Sequence, residues 1–152
     1  MPVAPHIARL RQKVGHDLLL LPSATVLPLD DEGRVLLVRQ TDFGTWGTIG
    51  GAIDEDESPD DAALREAREE IGVDVELIAL LGTFGGPGFR LTYPNGDQCQ
   101  YVVVVYQARV TQSDFTPDGA EVDATRWFER HELAGPDVGS FAQATFAALG
   151  WI

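Results

Sequence analysis

The stretch GGAIDEDESPDDAALREAREEIGV, residues 50–73, sets nine carboxylates beside only two arginines. Like charges three or four residues apart on a helix repel, so a fold that orders this segment must neutralise them. The helix itself is well specified. Ser58 is an N-cap residue, Pro59 suits the first helical position, and Asp60 and Asp61 fill the first turn, with Asp61 at the capping-box position. Gly72 supplies the stop. Between them Ala63, Leu64, Ala67 and Ile71 form an apolar stripe for the core. Glu66, Glu69 and Glu70 fall at i, i+3 and i+4 and aim at one patch, which Arg65 and Arg68 are too few to balance.

Two remedies exist for such a patch: a carboxylate stays protonated through a raised pKa, or a hard cation binds through oxygen ligands. Three carboxylates beside a glycine-rich loop favour the second, with Mg²⁺ or Mn²⁺ as the cation. A solvated acidic helix face is the plain alternative. A calcium loop is excluded. Asp54, Asp56, Ser58 and Asp60 alternate as in an EF-hand, but Pro59 sits in the turn-glycine slot and Arg65 in the bidentate-glutamate slot.

The 152 residues, 44% of them hydrophobic, suit one compact domain. A lone Cys99 allows no internal disulfide, and no apolar run reaches the ~20 residues of a membrane span. Both point to a cytoplasmic protein that binds no membrane. A net charge of −13 disfavours a nucleic-acid duplex but suits a small phosphorylated ligand escorted by a divalent cation. The expected division is a helical leader over 1–16 and one domain over 17–152. In the leader, Ile7, Leu10 and Val14 form the packed face and Arg9, Arg11 and Lys13 the wet one. That helix could cap the domain or a partner subunit, which leaves a homodimer open.

DLLLLPSATVLPL and RVLLVRQ read as two strands, TDFGTWGTIGGAID as a loop with one short strand, ATRWFE as a strand and SFAQATFAALG as a closing helix. A long hairpin is expected around PNGD, with Asn95-Gly96 in a type I′ turn. Hairpins without regular βαβ crossovers indicate an α+β fold, a mixed sheet covered by helices on both sides.

Gly51, Glu57 and the run REAREEIGV from Arg65 to Val73 resemble the Nudix box, with every fixed polar and glycine position filled at its spacing. The flanks, from about Ser23 to Leu133, resemble the family as well; the leader does not. The resemblance implies an α/β/α sandwich and a metal-dependent hydrolase of nucleoside diphosphates linked to another moiety. It implies Glu69 and Glu70 as metal ligands and Glu66 as a further ligand or a base. Arg65 would orient a glutamate, Glu57 would support the metal site, and the Gly50 carbonyl could ligate a cation. Ile49, Asp54 and Ala67 depart from the common pattern without removing a carboxylate of the site. Glu121, six residues before Trp127, stands where family members place a metal-binding or basic glutamate.

Arg39 and Arg90 are candidate phosphate contacts, and Trp46, Phe89, Tyr93 and Trp127 candidate base-stacking residues, though packing alone accounts for each aromatic. His6, His16 and His131 lack a ligand or triad spacing. ADP-ribose and nucleoside triphosphates both remain candidate substrates. Pro87 stands near the place of a proline typical of ADP-ribose enzymes, but its GGPG setting also reads as a turn. The competing class is a nucleotide-sensing module of the same fold without turnover.

Overall fold

A computed structural model describes residues 3–152. The element order is α1 (Pro5–Val14), β1 (Leu19–Pro28), β2 (Val35–Gln40), β3 (Thr45–Gly47), β4 (Ile49–Ala52), α2 (Pro59–Ile71), β5 (Val75–Phe84), β6 (Arg90–Thr92), β7 (Gln98–Val110), β8 (Val122–Phe128) and α3 (Ser140–Ala148). The strands form two sheets. One runs β4-β1-β7-β5 with β6 also on β7, and the other β3-β2-β8. β1 and β7 pair in parallel, from Leu19 opposite Cys99 to Pro28 opposite Ala108, while the other strand pairs described are antiparallel. This is an α+β fold with a mixed sheet.

From Ser23 onward β1 is buried without alternation, and so are Val35 to Val38 of β2. Strands covered on both faces read as continuous apolar runs, and these two have a core on each side. In the first, Ala63, Ala67 and Ile71 of α2 meet Ala24, Val26, Leu36, Val38 and Val122. In the second, Leu27, Val35, Leu37, Val103, Val105 and Phe128 pack around Phe146 of α3. The α2 stripe and its caps form as the sequence predicts: Ser58 Oγ accepts from the Asp61 N–H at 3.1 Å, and Gly72 takes the left-handed cap.

Several expectations change on contact with the fold. The glycine-rich segment holds two short strands, because the chain leaves β2 for β1 at Thr48 and so contributes to both sheets. The expected long hairpin arm breaks at a 3-10 turn, Pro87–Phe89, which drives Phe89 edge-on against Phe141. The Asn95-Gly96 turn is not type I′. Only Gly96 has positive φ, and the Gly96 N–H donates to the Tyr93 carbonyl, so Pro94 and Asn95 are the central pair before a left-handed glycine. In α1 only Ile7 is buried. Leu10 and Val14 are exposed, and Arg11 is tucked in rather than wet, donating to the carbonyls of Asp17 and Gln98 at 2.6 and 2.7 Å. Among the described residues no helix is long and apolar enough to cross a membrane.

Because the Ser58 hydroxyl caps the helix that carries the acidic patch, Ser58→Ala should cost about 1 kcal/mol. Urea denaturation followed by far-UV circular dichroism measures it; an unchanged midpoint would contradict the cap.

Candidate active site

β4 and the first turns of α2 lie against each other, joined by Arg65. Its guanidinium donates to Glu57 through Nε at 2.7 Å and Nη2 at 2.9 Å, and to the Ala52 carbonyl at 3.1 Å. Nη1 reaches Glu66 Oε1 at 3.0 Å and Glu69 Oε2 at 3.2 Å. The planar fork therefore joins strand, loop and helix, which a lysine could not do. Glu57 also accepts the Asp54 N–H at 3.0 Å, and Arg65 holds its carboxyl below the usual range.

The two glycines opposite α2 serve different ends. Gly50 donates its N–H to Glu70 Oε2 at 3.2 Å, at φ 155°, and a Cβ there would stand 2.2 Å from the Ala24 carbonyl oxygen. At Gly51 a Cβ would stand 2.4 Å from Glu66 Oε1. One glycine lets backbones approach and the other makes room for a carboxylate.

Glu66 and Glu70 are each 3% exposed. Burial pushes the Glu66 carboxyl up to about 7, and burial with the neighbouring Glu66 charge raises Glu70 well above the ordinary value. Glu66 Oε2 is buried with no hydrogen-bond partner. An orphaned buried carboxylate oxygen calls for a missing counterpart. Glu69 is half exposed.

Glu121 arrives from the loop before β8. The Asp118 carboxylate accepts the N–H groups of Ala120, Glu121 and Val122 at 2.9–3.0 Å, and the Thr41 hydroxyl donates to the Ala120 carbonyl at 2.6 Å. Burial, then the charges of Glu66 and Asp118, push Glu121 up to about 7. These residues open onto a cleft of about 1030 Å³, lined by Gly50, Glu66, Glu69, Glu70 and Glu121 among others.

The donor set is hard oxygen throughout, and with the orphaned Glu66 Oε2 it fits a divalent cation. Among the described residues no three such side chains form a closed cage; Arg65 instead draws Glu66 and Glu69 toward itself. The arrangement is an open site.

Other expected site residues scatter. Arg90 lines the cleft, exposed and bonded to Gln100. Glu57 has both oxygens on Arg65 and does not line the cleft. Arg39 pairs with Asp123 at 2.8 Å and Trp46 packs edge-on against Phe128, and neither lines the cleft. Phe89 and Trp127 also pack away from the cleft, whereas Tyr93 lines it. Sequence reasoning missed Tyr101 and Phe141, which converge only through tertiary packing. The anchoring role of Asp118 was missed as well, although Asp-Gly is an Asx-turn signal.

A NUDIX domain model matches residues 19–149. The chain is 31% identical over 117 residues to a MutT-like protein of Streptomyces ambofaciens, covering 72% of this chain and 76% of that one. It is 31% identical over 121 residues to the NAD-capped RNA hydrolase NudC of Pseudomonas putida, but spans only 37% of that protein's length. The crystal structure of the MutT NUDIX hydrolase from Burkholderia pseudomallei superposes with a TM-score of 0.68 at 26% identity, covering 88% of this chain and 98% of that one. The chain belongs to the Nudix hydrolase family, a family of enzymes.

Two expected outcomes follow from the site. Gly51→Ala displaces the Glu66 carboxylate while leaving the backbone path open, so it should weaken Mn²⁺ binding by roughly 10–100-fold in a fold that still melts cooperatively. Gly50→Ala meets backbone and should lower the melting temperature itself; calorimetry and Mn²⁺ titration separate the two, and identical behaviour would contradict the assignment. The second concerns pH. Glu66 and Glu121 hold protons in the fold up to about 7, against 4.5 as an ordinary value, so their contribution to stability is complete below about pH 4.5 and lost as pH rises toward 7. The cation-free melting temperature should fall across that window; a rise would contradict the burial of these carboxylates.

Proposed function

We propose that the protein is a divalent-cation-dependent pyrophosphohydrolase that cleaves the phosphoanhydride of a nucleoside diphosphate linked to another moiety. The observation that carries this is the buried, unpartnered Glu66 Oε2 beside buried Glu70 on a cleft large enough for a nucleotide. Glu66, Glu69 and Glu70 would hold Mg²⁺ or Mn²⁺, with the Gly50 carbonyl as a further ligand. A divalent cation held there would neutralise phosphate charge and supply Lewis acidity for attack at phosphorus.

The chain's own residues supply position and proton transfer. Arg65 fixes Glu66 and Glu69 from one side, with Glu57 gripping the guanidinium behind. Glu121, on a loop held by Asp118 and Thr41, accepts the proton of the attacking water. A carboxyl pushed up to about 7 is well matched to a general base near neutral pH. Acids outnumber cations along the cleft, and Arg11 and Arg65 are already engaged by acids, which agrees with a substrate whose phosphates arrive with metal.

Relatives named as a putative 8-oxo-dGTP diphosphatase and as NAD-capped RNA hydrolases support nucleoside triphosphates and dinucleotide-type anhydrides as the first substrates to try. Incubation with Mg²⁺ and ADP-ribose, nucleoside triphosphates, dinucleoside polyphosphates or nucleotide sugars should release a nucleoside monophosphate from one class. Glu69→Gln should remove most of that turnover, by about 10²-fold or more. Binding of these compounds without cleavage would replace the hydrolase with a sensor.

A further inference from the structure

The family match begins at residue 19, yet α1, which precedes it, is part of the cleft. Ala4, Pro5, Ile7 and Arg11 all line it. Ile7 is 7% exposed and packs with Leu21 and Cys99, and Ala4, Ala52, Tyr93 and Tyr101 close around the same cluster.

The helix is fastened to both neighbours of the cleft. Arg9 meets Glu55 at 2.5 Å, on the acidic loop between β4 and α2. An exposed pair of this kind contributes little by itself. Arg11 contributes more: its side chain is 11% exposed, donates to the Gln98 carbonyl and lies 3.5 Å from the Asp97 carboxylate, at the turn joining β6 and β7. His16, just beyond α1, joins the same Asp97 at 2.7 Å. A helix that served only as an outer cap would present its apolar face to the core, but Leu10 and Val14 are left exposed. Its buried contact is the one beside the cleft.

Phe141, at the start of α3, lines the same cleft and meets Tyr101 edge-on, with ring centroids 5.9 Å apart. The Tyr93 and Tyr101 hydroxyls bond each other at 2.9 Å, and Phe43 covers Tyr93 at 5.5 Å. From Ala4 and Ile7 through the two tyrosines to Phe141, this wall is aromatic and apolar, and the charges of Arg11 and Asp97 satisfy each other. The carboxylates of α2 line a different part of the same cleft.

We propose that α1 is a specificity wall: Ala4 and Ile7 limit the size of an uncharged ring, base or sugar, seated between them and Phe141. The placement of the phosphates at the carboxylates rests on the hydrolase reading; the seat for the ring does not. Ring faces suit such a seat because aromatic side chains stack or meet edge-on with planar groups.

The test is Ala4→Trp in the full chain, since Ala4 makes no side-chain cap bond, with Ala4→Leu as the milder variant should the first not fold. ADP-ribose and inorganic pyrophosphate, which has no ring, are titrated into wild type and variant by calorimetry with Mn²⁺ present. Glu69→Gln serves as background where turnover interferes. The Kd for ADP-ribose should rise about tenfold while that for pyrophosphate stays within about twofold. Equal weakening of both ligands, or of neither, overturns the wall, as does a wild type that binds pyrophosphate but not ADP-ribose. A wild type that binds ADP-ribose but cleaves none of the compound classes named above overturns the hydrolase reading alone, and one that binds neither ligand and cleaves none of those classes overturns both.

Discussion

The site hangs on one guanidinium. Arg65 joins Glu57 of the loop, the Ala52 carbonyl of β4, and Glu66 and Glu69 of its own helix. Two of these partners come before the helix begins, so the ion pairs fix how α2 sits against β4 as well as where its carboxylates point. Bidentate geometry explains why the residue is an arginine, because only a planar fork can serve a carboxylate on one edge and reach further acceptors on the other. The burial of Glu66 and Glu70 then follows from α2 packing its alanines onto β1 and β2. Alanine at positions 63 and 67 lets the helix approach the strands closely, and that approach carries the glutamates inward with it.

The cost of that approach is electrostatic. Two carboxylates at 3% exposure, one with an orphaned oxygen, cannot both stay ionised without a partner. Burial shifts both toward the protonated form, and the Arg65 guanidinium is shared among several acids. A divalent cation would replace the protons and free the arginine from part of its load. On the proposed reading, stability and catalysis are opposed at this point of the fold, as is common where function stores strain.

Much of this was legible in the sequence because it is local. The N-cap at Ser58, the stop at Gly72, the apolar stripe and the i, i+3, i+4 carboxylates depend on neighbours within one helix, and all are present. Glycines 50 and 51 were visible as a motif, but their distinct reasons, a backbone on one side and a carboxylate on the other, needed the partner strand and helix. What stayed hidden was non-local. The division of strands between two sheets depends on which strand pairs with which, and nothing in TDFGTWGTIGGAID announces a corner at Thr48. Arg39 and Trp46 looked like ligand contacts because residue type was the only guide; pairing across β2, β3 and β8 turns them elsewhere. Arg11 looked like one of three wet cations on a helix face, and the fold gives it partners at Asp17, just beyond the helix, and at Gln98 and Cys99, at the start of β7. The leader's place in the cleft could not be read from a helix whose hydrophobic spacing pointed to a packing face that it uses at Ile7 but not at Leu10 or Val14.

The most direct test of the central claim, that buried acids of α2 await a hard cation, is Mn²⁺ binding followed by electron paramagnetic resonance in wild type, Glu66→Gln and Glu57→Gln. The account predicts saturable binding in wild type, weakened by about 10–100-fold when Glu66 loses its charge and less when Glu57, which acts through Arg65, is changed. Equal affinity in wild type and Glu66→Gln would contradict it.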